Sequence, residues 1–137
     1  MMKATWTGLF VLAAAQGCAG TSGAPAVEPA PAAARSAAEG VYTAEQAERG
    51  EQVFDRICSA CHSRNEFSGR MFEITWMAEP IGDLFQHISA AMPQDDPGSL
   101  APDEYAAVIA YFLALNERPA GETELPADAV VLEGVRW

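Results

Sequence analysis

Three stretches of the chain carry apolar residues at helical spacing. Ala47, Gly50, Val53, Phe54 and Ile57 form the first stripe, which predicts a helix over about 44–57. Thr43 stands at its N-cap with Gln46 three residues on, the pattern of a capping box. Leu84, Phe85 and Ile88 share one face of a second predicted helix, 81–91, introduced by Glu79-Pro80 and stopped by Met92-Pro93. Tyr105, Val108, Ile109, Phe112, Leu113 and Leu115 give the third and broadest face, with Pro102, Asp103 and Glu104 suited to its first turn and Asn116 at its end. Residues 63–78 are mixed in character, with turn signals near Asn65 and at Ser68-Gly69, and read as a loop. The tail from Glu117 holds Pro119, Gly121 and Pro126 and reads as an extended wrap, with Val130, Val131 and Leu132 packing down. The pattern predicts an all-α domain of three to four helices. Gly50 inside its stripe is costly in a helix unless another segment packs tightly against it, so a crossing helix is expected there.

The first 41 residues read differently. Met1-Met2-Lys3 and the apolar run Trp6 to Ala15 make a signal segment, 1–17, too short to span a membrane as a stable helix. Ala15-Gln16-Gly17-Cys18 resembles a bacterial lipobox, with Ala15 where Leu is usual, and marks Cys18 as a candidate for lipidation. The alternative is an ordinary secretory signal cut near Ala15 to Gly20. Both readings export the chain to the periplasm, and lipidation would tie it to a membrane. Residues 18–41, rich in Ala, Pro and Gly, have no apolar periodicity and read as a flexible tether. That leaves one small domain, 42–137.

Nineteen acids oppose eight bases, for a net charge of −11, and the only lysine is Lys3 in the signal segment. This balance argues against nucleic acid and against electrostatic binding to an anionic membrane. A partner steered by charge would be basic.

Cys58-Ser59-Ala60-Cys61-His62 is the C-x-x-C-H attachment signature of c-type haem. Two thiols at this spacing can each add to a haem vinyl group, and the histidine that follows is then held beneath the iron. A bare C-x-x-C could also be a redox disulfide or half of a zinc site. Zinc would need two more ligands, and a thioredoxin-like motif should follow a strand rather than a helix.

The order of helix, haem motif, loop, helix, Met-Pro loop and long last helix resembles class I cytochrome c over about residues 43–118. The segments RGEQVFDRICSACH and LFQHISAAMPQDDPGSLAPDEYAAVIAYFLALN are similar to small monohaem cytochromes associated with periplasmic quinoprotein dehydrogenases. The resemblance implies one covalent haem c and a first helix crossing the last, with Gly50 and Phe54 facing Tyr111. It makes His62 the proximal ligand and Met92, just before Pro93, the sixth ligand. Met71, Met77 and His87 are the other candidates, the two methionines reading rather as pocket packing. Trp76 could donate to a haem propionate or be plain core, and Arg70 could pair with a propionate or be solvated surface. Relatives often cap the last helix with Ser or Thr, and this chain has Ala101, so Ser99 or the loop backbone must substitute. The function implied is single-electron transfer between redox proteins, with a dehydrogenase as donor and a cytochrome or oxidase as acceptor. The alternatives are an open-site haem protein with peroxidase-like or gas-sensing activity, and a structural subunit.

Overall fold

A computed structural model of the chain describes residues 34–137. The signal segment, Cys18 and the tether up to residue 33 lie outside the described residues. Five helices follow in order: α1 (Ala44–Arg56), α2 (Gly69–Trp76), α3 (Ile81–Ala91), α4 (Pro102–Leu115) and the single-turn α5 (Ala129–Leu132). Two short strands, β1 (Arg35–Ser36) and β2 (Val135–Arg136), pair in parallel with Arg35 opposite Val135. The domain is all-α, as the periodicity predicts.

α1 and α4 form the principal crossing. A Cβ on Gly50 would overlap the Ala107 carbonyl of α4 and lie 3.0 Å from the Tyr111 Cβ. Only glycine lets the two backbones approach this closely, which explains its place in the apolar stripe. One turn on, Phe54 is fully buried with its ring 5.7 Å from Tyr111 and 6.1 Å from Phe112. α4 is buried along Tyr105 to Leu113 and forms the spine of the core.

Three features depart from the sequence reading. The segment read as a loop over 63–78 holds a 3-10 turn, Arg64–Phe67, and then α2. Residues 35–41, read as tether, join the fold: Ala37 and Val41 are buried and Arg35 pairs with the C-terminal strand. The tail is only partly extended. Asp128 caps α5 by accepting from Val130 and Val131 N–H, and Leu132 is buried, whereas Val130 and Val131 point outward.

Two caps also differ from expectation. Thr43 accepts from Gln46 N–H at 3.1 Å, but the Gln46 side chain does not reach back to complete a box. It is buried and bonds both backbone groups of Leu125, each at 2.8 Å, which pins the tail to α1. At the start of α4, the Ala101 carbonyl accepts from Glu104 N–H at 2.9 Å, so the loop backbone, not Ser99, takes the donor that a hydroxyl would cap, while the Glu104 carboxylate accepts from Ala101 N–H at 3.1 Å.

Candidate functional site

The site grows from the end of α1. Ile57 leaves helical geometry at φ −122°, ψ −54°, and the chain winds one 3-10 turn over Cys58–Ala60. The Cys58 carbonyl accepts from Cys61 N–H at 3.1 Å and His62 N–H at 2.9 Å, so a single turn presents both thiols and the imidazole. Both cysteines are free, Cys58 half-buried and Cys61 exposed. Burial pushes the Cys58 thiol above its ordinary pKa. Among the described residues no three His, Cys, Asp or Glu side chains gather as a group that could hold a metal ion, so a zinc reading of C-x-x-C finds no further ligands.

The His62 ring is fixed on two sides. It packs against the Phe67 ring in a T-shaped pair, with centroids 5.3 Å apart, and Phe67 stacks on Phe112 of α4 at 4.3 Å and 5°. Its Nδ1 lies 3.0 Å from Glu66 Oε2. The other carboxylate oxygen, Oε1, accepts from Ser63 N–H at 2.8 Å and from the Ser63 hydroxyl at 3.0 Å. The Ser63 N–H, then His62 and the Ser63 hydroxyl, hold the Glu66 carboxyl down at a pKa of about 2. With Nδ1 engaged, Nε2 is the nitrogen left for a metal.

Sequence reasoning missed Glu66 and Asn116. Ser63-Arg64-Asn65-Glu66 is a readable capping box, masked by the mixed character and turn residues of the stretch that follows it. Asn116, read only as the end of α4, donates to the Phe67 and Phe112 carbonyls at 2.8 Å each and accepts from Gly69 N–H at 3.0 Å. It fastens the segment carrying Phe67 and the start of α2 to α4. Arg64 adds ion pairs to Asp55 at 2.6 Å and Glu51 at 2.8 Å, tying the same segment back to α1.

Met92 closes α3, its N–H bonded to the Ile88 carbonyl at 3.0 Å and its backbone extended at φ −125°, ψ 151°. Its own carbonyl accepts from the Tyr105 hydroxyl at 2.6 Å. Tyr105 and Phe112 are seven residues apart on α4, hence on one face and about 10 Å apart along the axis. The segments bearing Met92 and His62 are thus both anchored to that face. Trp76 is half-buried, with its ring 5.7 Å from that of His87, which is exposed. Arg70 is exposed on the first turn of α2, with no ion-pair partner among the described residues. Met71 and Met77, expected as packing residues, are 76% and 46% exposed in the polypeptide.

The family model described as cytochrome C oxidase, cbb3-type, subunit III matches residues 45–112, from the first turn of α1 through the C-x-x-C-H turn and Met92 to Phe112. The chain carries a c-type cytochrome domain. No curated protein and no solved structure gives a match. The c-type cytochrome domain binds haem c covalently and works in electron transfer with redox protein partners. The donor set suits that group: two unpaired thiols three residues apart and, next to them, an imidazole held by one nitrogen. Among the described residues no helix is long and apolar enough to cross a membrane.

Proposed function

We propose that the protein is a one-electron carrier in which Cys58 and Cys61 hold haem c, His62 is the proximal ligand and Met92 the sixth ligand. The arrangement that carries this reading is the 3-10 turn joining both thiols to an imidazole whose Nδ1 is already engaged by Glu66. The bound haem supplies reversible exchange of one electron at its iron. The polypeptide's part is to keep the ligands still, because small reorganisation between oxidation states makes such exchange fast. Phe67 and Glu66 fix the His62 ring. The Ile88 carbonyl and the Tyr105 hydroxyl fix the Met92 backbone from both ends. A neutral thioether ligand favours ferrous iron and raises the potential relative to a second histidine. Trp76 and Arg70, both on α2, are proposed to hold the propionates.

The donor is proposed to be a dehydrogenase and the acceptor a cytochrome or oxidase, meeting the protein in weak, transient encounters. Arg49, Arg56 and Arg64 are ion-paired to acids of the same chain, so the excess of acids is left to set the surface field. Basic docking faces fit that surface. Export through the 1–17 signal and lipidation at Cys18 would place the carrier on the outer side of a bacterial membrane.

The Met92→Ala variant tests the reading. It should lower the reduction potential and let carbon monoxide bind the ferrous protein. An unchanged potential and spectrum would remove Met92 from the iron.

A further inference from the structure

Histidines that bind metal almost always donate their second ring N–H, and a carboxylate acceptor raises the basicity of the ligand. The acceptor here is a carboxylate that has little freedom to leave. Oε1 of Glu66 is held by the Ser63 N–H and hydroxyl, which leaves Oε2 directed at His62 Nδ1 at 3.0 Å. Swinging away would give up two further hydrogen bonds. Arg64, the nearest cation in the same turn, is occupied by Asp55 and Glu51 and does not neutralise Glu66. A carboxylate at neutral pH is ionised and can only accept.

We infer that Glu66 is a positioning residue for His62: its carboxylate takes the Nδ1–H, makes the imidazole a more electron-rich ligand and biases the haem iron toward the ferric state. This rests on the reading of His62 as the proximal ligand. It would oppose the effect of the Met92 thioether on the carrier's potential. A hydrogen bond to a charged acceptor is about twice as strong as one to a neutral carbonyl, and the partial imidazolate character it confers is felt more by ferric than by ferrous iron.

Glu66→Gln separates this role from the structural one, because Gln also completes a capping box with Ser63 yet brings no anionic oxygen to His62. The expected result, measured on the haem-loaded protein, is a shift of about tenfold in the ferric–ferrous equilibrium toward ferrous, which is a rise of about 59 mV for a one-electron couple. Ser63→Ala weakens the box and leaves the carboxylate on His62, so its equilibrium should move less than about twofold. In the five-coordinate ferrous Met92→Ala background, Glu66→Gln should also lower the iron–histidine stretching frequency seen by resonance Raman. A shift below twofold in Glu66→Gln, or an equal shift in Ser63→Ala, overturns the assignment. Should Glu66→Gln fail to mature with haem, the His62 Nδ1 proton of the wild-type ferrous protein decides. Slow exchange with solvent supports the pairing, and rapid exchange overturns it. The two readings fail separately. A high-spin wild-type spectrum strikes Met92 as sixth ligand, whereas an unmoved Glu66→Gln equilibrium in a low-spin protein strikes Glu66 alone.

Discussion

Gly50→Ala places a methyl group where α1 touches the backbone of α4. The new Cβ would overlap the Ala107 carbonyl and press on the Tyr111 Cβ at 3.0 Å. The first obstacle is main chain inside a helix, so no rotamer change relieves it and the helices must part. Adding bulk to a packed core costs about 1–3 kcal/mol, and a backbone obstacle puts this site at about 3. Replacing glycine by alanine inside a helix returns about 1 kcal/mol through propensity. The net loss is about 2 kcal/mol, or roughly 10 °C in Tm for a domain of this size. The strain also reaches the site. Moving α4 displaces Phe112, on which Phe67 is stacked, and Phe67 in turn supports His62. The assay is thermal and urea unfolding of the haem-loaded protein, followed by far-UV circular dichroism and by the haem spectrum. A variant as stable as wild type, or one stabilised by the propensity gain, would refute the close crossing.

Two further changes read separate parts of the frame. Gln46→Leu leaves the buried N–H and carbonyl of Leu125 without partners. It should cost about 3 kcal/mol at roughly 1–3 per group and speed proteolysis within 117–128, and a loss under about 1 kcal/mol would mean that Gln46 does not pin the tail. Ala101→Ser adds the hydroxyl that the N-cap of α4 lacks and should gain about 1 kcal/mol in urea unfolding. No gain would show that the Ala101 carbonyl, accepting from Glu104 N–H at 2.9 Å, already meets the need of that terminus.

The helices that bury one coherent face were legible in the sequence. α1, α3 and α4 lie close to where their apolar spacing puts them, and Gly50 announced the crossing by being the wrong residue for an isolated helix. α2 was not legible, for a physical reason. It buries Phe72 but leaves Met71 and Ile74 exposed, so its apolar residues do not fall on one stripe. Its start at Gly69, with φ +73°, looks in sequence like a turn alone. The ordered stretch 35–41 was hidden by composition, since small residues that suit a tether also suit tight packing, as Ala37 does here. At the site, the C-x-x-C-H motif is chemistry written in consecutive residues and needs no fold to be read. Glu66 bonds only to near neighbours, Ser63 and His62, and its capping box was legible in the sequence, whereas Asn116 acts through partners 47 and 49 residues away that only the tertiary structure brings to it.

A one-electron carrier of this kind needs its haem iron held by His62 and Met92 in both oxidation states. Optical spectra of the haem-loaded protein, oxidised and reduced, with and without carbon monoxide, test it most directly. Ligation by His62 and Met92 gives a low-spin spectrum, a weak sulfur-to-iron charge-transfer band when oxidised, and no shift with carbon monoxide. A high-spin spectrum that shifts on adding carbon monoxide would contradict it and turn the protein into an open-site haem protein.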